Sequence, residues 1–177
     1  QQFNFKTGDS LYDAIECMST DDLVAISDTG RVYTVVVADL PSARGDGQPI
    51  TSMIDIEHGT RIVHTLCAPE GSRYVFAGRA GYGFVTPYSS LTTRQRAGKQ
   101  FITVEKGDAL LKPIQLRESD THLVLLSKQG RMLVVELGEL RVLASGGRGT
   151  RLMDLAGDDV LSQCLAIGPD GLAVSGV

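Results

Sequence analysis

The ten-residue stretch SKQGRMLVVE, residues 127–136, decides the fold of this chain because it is repeated. Two other copies occur, SDTGRVYTVV at 27–36 and GRAGYGFVTP at 78–87. Their shared glycines lie 51 and 49 residues apart, at Gly30, Gly81 and Gly130. In each copy a short apolar run precedes the glycine and a second run follows it, which is typical of two antiparallel strands joined by a tight turn. The sequence therefore predicts three regularly spaced β-hairpins.

The repetition extends beyond the hairpins. A leucine lies ten residues after each glycine, and a second glycine follows in a polar loop: Leu40, Leu91 and Leu140, then Gly47, Gly98 and Gly149. Repeats of about 40–50 residues with about four short strands each indicate a propeller-like array of blades. We predict one all-β domain over residues 1–177, with four to five units of which the first and last are incomplete. The approximate units are 8–58, 59–106, 107–156 and a partial 157–177.

Composition agrees with a globular chain, since 42% of its 177 residues are hydrophobic and 21% are charged. No apolar stretch approaches the ~20 residues that a transmembrane helix needs, and no signal peptide is expected. The three cysteines form no CxxC pair, so neither a disulfide framework nor a zinc site is predicted. Cys17, Cys67 and Cys164 share one repeat position with Ile114, which indicates a buried strand position. A reducing cytoplasm is the expected compartment.

Basic residues concentrate in the polar loops. Residues 50–100 contain six basic and three acidic side chains, although the whole chain has a net charge of −4. The loops TTRQRAGKQ, 92–100, and RVLASGGRGTR, 141–151, contain no acid and occupy equivalent places in successive repeats. Blades that stack around an axis would place these two loops on one rim. The guanidinium groups of their arginines could there bind phosphates through paired N–H donors. The candidate DNA contacts are Arg94, Arg96, Lys99, Arg148 and Arg151, followed by Arg44, Lys128, Arg131 and Arg141. The alternative is ordinary solvated loop charge.

Catalytic and metal-binding patterns have little support. The three histidines show no HExxH or Cys/His ligand spacing, and no GxSxG or Walker loop is present. The acidic pairs Asp21–Asp22 and Asp158–Asp159 precede predicted strands, where aspartate caps turns. We expect no catalytic residue and no metal in this chain. A propeller-type hydrolase or lyase would need acid/base groups converging at the axis. A protein-interaction scaffold would need exposed aromatic anchors, which are few.

The motifs together resemble a known family. The succession LPSARGDGQPIT, AGYGFVTPYSSL, RQRAGKQFITV and SKQGRMLVVEL, within about residues 1–155, is similar to the C-terminal domain of bacterial type IIA topoisomerase A subunits. The topoisomerase IV members are the nearer likeness, and gyrase A is the related alternative. RQRAGKQ at 94–100 resembles the basic box of the gyrase relatives, and ARGDGQ at 43–48 and GGRGTR at 146–151 resemble degenerate copies of it.

This resemblance implies a β-pinwheel, in which neighbouring blades exchange strands, and a basic edge that binds and bends duplex DNA without sequence specificity. It also implies that DNA cleavage belongs to another domain of a parent topoisomerase, which uses ATP and Mg²⁺ through other domains. The implied partners are duplex DNA, the B subunit of a heterotetramer, and the remainder of the A-type polypeptide, with no membrane. The implied location is the cytoplasm, at the nucleoid. The implied role is to guide capture of a DNA segment and the substrate preference of the parent.

Overall fold

A computed structural model describes residues 7–8, 10–42 and 47–171. These residues form eleven strands and four single-turn 3-10 helices, so the predicted all-β class is confirmed. The strands are β1 (Asp22–Ser27), β2 (Arg31–Val36), β3 (Ile62–Leu66), β4 (Arg73–Ala77), β5 (Tyr82–Pro87), β6 (Lys99–Gln100), β7 (Ile114–Leu116), β8 (His122–Ser127), β9 (Met132–Glu136), β10 (Thr150–Arg151) and β11 (Leu161–Ile167). The 3-10 helices are Val37–Asp39, Ile50–Ser52, Tyr88–Ser90 and Leu137–Glu139. None of the helices in these ranges is long and apolar enough to cross a membrane.

The three predicted hairpins are present as β1–β2, β4–β5 and β8–β9, each antiparallel. Their turns place the repeated glycine in the left-handed region, with φ of +82° at Gly30 and +83° at both Gly81 and Gly130. In the first turn the Gly30 amide donates to the Ser27 carbonyl over 3.0 Å, and the third turn repeats this bond. A β-branched side chain at these positions would be strained, which explains the recurrence of glycine.

Each hairpin belongs to a sheet completed by strands of the following repeat. The strand orders are β3-β1-β2-β6 in the first sheet, β10-β5-β4-β7 in the second and β11-β8-β9 in the third. The strands β3 and β6 therefore leave their own repeat to flank the preceding hairpin, and β7 and β10 do the same one sheet later. This exchange confirms the arrangement that the resemblance implied. In the part of the chain that the structure describes, β9 has no strand beyond it.

Apolar side chains between neighbouring sheets form the core. One cluster joins the first and second sheets and includes Val24, Phe76 and Phe84. A second cluster joins the second and third sheets and includes Val85 and Leu125. Burying each such side chain is worth about 1.5–3 kcal/mol, so contacts between successive blades contribute substantially to the stability.

The repeated leucines mark the ends of three of the 3-10 helices. Each leucine follows its helix directly and its amide closes the last turn. Leu91 is 0% exposed and Leu140 is 8% exposed, whereas Leu40 is 36% exposed. The repeated leucine is therefore buried in the second and third copies, whereas it stays partly exposed in the first.

Candidate nucleic-acid interface

The two basic loops lie at equivalent edges of adjacent sheets. The strand β6 pairs with β2 at the edge of the first sheet, and β10 pairs with β5 at the same edge of the second. The carbonyl of Gly30 accepts hydrogen bonds from the amides of Phe101 and Ile102, which follow the first loop, over 3.2 and 2.9 Å. The carbonyl of Gly81 accepts hydrogen bonds from the amides of Leu152 and Met153, which follow the second loop, over 2.8 and 3.3 Å. We call residues 94–100 and 146–151 the basic edge.

A glycine in each loop permits this close approach. Gly98 and Gly149 adopt φ of +63° and +83°, and a Cβ at either position would clash with a backbone carbonyl of the neighbouring hairpin. Those carbonyls belong to Val32 and Gly83. The glycine of the basic loop is thus required by the pairing of the loop with its hairpin.

The basic side chains of the first loop differ in the number of protein groups that they already bind. Arg94 is exposed and its side chain has no ion-pair or hydrogen-bond partner among the described residues. Arg96 Nη2 donates to Ser52 O over 3.1 Å, and its Nε lies 3.5 Å from Asp55 Oδ1. Lys99 Nζ donates to the carbonyls that precede the basic edge at Ser90 and Thr92 over 2.8 and 2.9 Å, and burial lowers the pKa of this amine. Arg94 is therefore available to a ligand, whereas Lys99 holds the loop in shape.

The arginines of the second loop gather around one tyrosine. The guanidinium carbon of Arg148 lies 3.7 Å from the ring centroid of Tyr82, and Arg148 Nη1 lies 3.0 Å from Glu105 Oε1. Arg151 Nη2 donates to Tyr82 Oη over 3.2 Å and its Nη1 pairs with Asp154 Oδ1 over 3.0 Å. The hydrogen bond to Tyr82 and the charge of Asp154 raise the pKa of Arg151. Both arginines remain substantially exposed, at 40% and 58% for Arg148 and Arg151.

The four remaining candidates are dispersed. Arg131 Nη1 donates to the backbone oxygen of Asp154 over 3.0 Å, and the carboxylate of the same aspartate pairs with Arg151.

Lys128 lies in the β8–β9 turn and Arg141 lies in the loop after β9, and both side chains are exposed. Neither side chain forms an ion pair or a hydrogen bond within residues 47–171. Arg44 lies outside the described residues.

Two residues of this interface were not predicted from the sequence, Arg31 and Tyr82. Arg31 donates from Nε to Ala97 O over 2.6 Å and from Nη2 to Gly98 O over 3.3 Å, so it fixes the backbone of the first basic loop. Tyr82 is uncharged, so a search for basic residues does not select it. Both residues directly follow a hairpin glycine, and this shared position is the signal that could have found them.

Two of the acidic candidates have structural partners. Asp159 Oδ1 accepts hydrogen bonds from the amides of Gln129 and Val160 over 3.1 and 2.9 Å, and Asp21 Oδ2 accepts one from Met18 over 2.7 Å. These bonds agree with the predicted turn-capping role. Within the described ranges, no group of three His, Cys, Asp or Glu side chains could hold a metal ion.

The strand-exchanged blades define a domain of the β-propeller class, in the β-pinwheel form. The chain belongs to the family described as the DNA gyrase C-terminal domain, a β-propeller, which matches residues 21–55, 73–116 and 121–167. The family predicted from the sequence motifs is thereby confirmed.

Within this class the chain is similar to the A subunit of DNA topoisomerase 4. It is 33% identical over 170 residues to the protein of Escherichia coli K12, covering 96% of this chain and 22% of that protein. It is 35% identical over 156 residues to that of Haemophilus influenzae, covering 88% of this chain and 21% of that protein. The chain thus spans about a fifth of the length of these curated relatives.

Solved structures agree with the fold. The E. coli ParC C-terminal domain superposes with a TM-score of 0.86 at 31% sequence identity, covering 93% of this chain and 69% of that one. A C-terminal domain of DNA topoisomerase IV superposes with a TM-score of 0.78 at 20% identity, over 93% and 53% of the two chains, and supports the fold alone. The β-pinwheel architecture is accordingly that of this chain.

Proposed function

We propose that this chain binds duplex DNA along its basic edge, contacts phosphates without reading base sequence, and bends the duplex. The observation that supports it most is the equivalent pairing of β6 and β10 on adjacent sheets, which aligns two arginine-containing loops along one side. Contacts from arginine and lysine to phosphate position a protein on DNA and carry no sequence information. The proposed contacts are Arg94, Arg96, Lys99, Arg148 and Arg151, and the second-ranked candidates are Arg44, Lys128, Arg131 and Arg141.

The side-chain geometry ranks these contacts. Arg94 has no competing partner among the described residues, and the ion pairs of Arg96, Arg148 and Arg151 are exposed. Exposed pairs of this kind contribute about 0–1 kcal/mol, so a phosphate can replace the carboxylate. Lys99 has already used two of its three N–H donors on backbone carbonyls and contributes mainly through its charge.

We further propose that the chain guides DNA for a parent topoisomerase of which it is one part. The relatives, which are A subunits of DNA topoisomerase 4, support this role. DNA cleavage would then belong to another domain, ATP and Mg²⁺ would be used through other domains, and the assembly with its B subunit would act at the nucleoid in the cytoplasm. Because smooth bending of 20–30 base pairs costs about 1–6 kcal/mol, such a domain favours DNA that is already curved or crossed.

A salt titration tests DNA binding directly. We expect weak binding of the chain to a duplex of about 30 base pairs, tighter binding to a pre-bent duplex of the same length, and competition by random sequences. The logarithm of the affinity should fall with the logarithm of salt concentration by about 0.9 per phosphate contact. If the affinity for DNA does not change with salt concentration, the DNA-binding proposal is contradicted. Equal affinity for bent and linear duplexes would contradict only the bending role.

The role in a parent enzyme needs a separate experiment. Relaxation and decatenation by the whole topoisomerase, with and without the segment equivalent to this chain, should be compared on positively supercoiled, negatively supercoiled and linked circles. We expect deletion to change the three rates unequally, because a guiding domain alters substrate preference. A gyrase-type wrapping role would instead appear as introduction of negative supercoils, and unchanged rates would contradict guidance altogether.

A further inference from the structure

Tyr82 contacts both arginines of the second basic loop. It is the first residue of β5 and pairs in register with Arg151 of β10. The guanidinium carbon of Arg148 is 3.7 Å from its ring centroid, and its hydroxyl accepts the 3.2 Å hydrogen bond from Arg151. The Arg151 guanidinium carbon lies 5.8 Å from the same centroid. One aromatic side chain therefore fixes the position of two cations.

This arrangement leaves the arginines able to bind an anion. A guanidinium stacked by its flat face on an aromatic ring keeps its N–H groups at the edges, where they can form a fork to a phosphate. Glu105 and Asp154 pair with Arg148 and Arg151 and reduce the repulsion between the two neighbouring cations. Both pairs are exposed, so they compete weakly with a phosphate.

The residue at the equivalent position of the first sheet, Arg31, has a related structural role. Arg31 follows Gly30 as Tyr82 follows Gly81, and Arg31 binds the backbone oxygens of Ala97 and Gly98. In both sheets, the residue after the hairpin glycine thus orders the adjacent basic loop. Arg31 orders the backbone of its loop, whereas Tyr82 orders the cationic side chains themselves.

We infer that Tyr82 is a positioning residue for DNA binding, which holds Arg148 and Arg151 in the orientation that a phosphate requires. This inference rests on the DNA-binding function proposed above. Arginine side chains lose rotamer freedom when they bind, and that loss opposes association. Because the Tyr82 ring has restricted both side chains beforehand, less of this entropy is lost on contact with DNA.

Two substitutions at Tyr82 separate its ring from its hydroxyl. Tyr82→Leu removes both contacts and should weaken binding to a duplex of about 30 base pairs by about threefold to tenfold. Tyr82→Phe keeps the ring beneath Arg148 and removes only the hydrogen bond from Arg151, so we expect a loss of about twofold or less. If Tyr82→Leu does not fold by circular dichroism, Tyr82→Met removes the same contacts with an unbranched side chain of similar length.

A double-mutant cycle distinguishes positioning from a structural role. In a chain already changed by Arg148→Ala and Arg151→Ala, Tyr82→Leu should cause no further loss of affinity and no change in the salt slope. An equal loss in both backgrounds would overturn the inference, as would equal affinity of the unchanged chain and Tyr82→Leu. A flat salt response of the unchanged chain would count against the proposed function instead, so the two failures are distinguishable.

Discussion

The strand β5 in the second sheet and the strand β9 in the third sheet occupy equivalent positions in the repeat. Their side chains are buried to very different extents. In β5, Phe84 and Val85 are 1% and 2% exposed, whereas their counterparts in β9, Leu133 and Val134, are 39% and 49% exposed. The strand β5 has β10 at its edge and a sheet on either side, but β9 has no edge strand in the described part of the chain. Burial of a hairpin in this fold therefore depends on the repeat that follows it, as expected for a repeat architecture.

The largest expected effect follows from this difference. Phe84→Ala should lower the free energy of unfolding by about 3–5 kcal/mol, because it opens a cavity between the first two sheets. Leu133→Ala, at the equivalent position of β9, should cost less than about 1 kcal/mol, as partly exposed positions do. Urea unfolding followed by circular dichroism measures both. Equal costs would mean that β9 is covered in solution and that the comparison fails.

The hairpin glycines offer a second, smaller contrast. Gly30 and Gly130 have the same φ within a degree, but a Cβ at Gly30 would clash with the Ile102 carbonyl, whereas a Cβ at Gly130 meets nothing within 4 Å. Gly130→Ala should cost only the positive-φ strain, about 1–2 kcal/mol. Gly30→Ala should cost about 1–3 kcal/mol more, because the edge strand must shift. The measurement is again the unfolding free energy, and a larger cost at Gly130 would contradict the close approach of the first loop.

The repetition accounts for how much the sequence could predict. Hairpins, turn glycines and the equivalent placement of the basic loops follow from local patterns, and the structure confirms them. The structural role of Lys99 could not be predicted from the sequence. Its amine donates to the carbonyls of Ser90 and Thr92, which come close to it only when the chain is folded. The contacts of Arg31 and Tyr82 span 66 to 69 residues and depend on the register between a hairpin and a later loop.

The difference between the sheets should also affect DNA binding. The first two sheets carry a basic loop at their edge, and the third sheet has none in the described residues. Reversing charge with Arg94→Glu and Arg96→Glu should weaken DNA binding by about tenfold or more and lower the salt slope by about 1–2. Lys128→Glu with Arg131→Glu, on the third hairpin, should have a smaller effect. The unfolding free energy should move by within about 0.5 kcal/mol at exposed positions.

Arg61→Glu with Arg73→Glu is the matched control, because both arginines are exposed and lie outside the two loops of the basic edge. We expect this control to change affinity least, as measured by fluorescence anisotropy at several salt concentrations. Equal losses from all three pairs would indicate a diffuse electrostatic field and would contradict a localised edge.

The smallest expected effect is a pH dependence in the first sheet. His64, in β3, lies with Nδ1 3.3 Å from Tyr12 Oη and Nε2 3.3 Å from Leu110 O, and its burial lowers the pKa of the imidazole. The unfolded chain, with an ordinary histidine pKa of about 6.5, then binds a proton more readily than the folded chain. Stability should consequently fall as pH drops below about 6.5 and stop falling below the folded pKa. His64→Gln should reduce the difference in unfolding free energy between about pH 8 and about pH 5 by less than about 1 kcal/mol. If His64→Gln leaves the pH dependence as large as it is in the unchanged chain, burial of His64 is not its source.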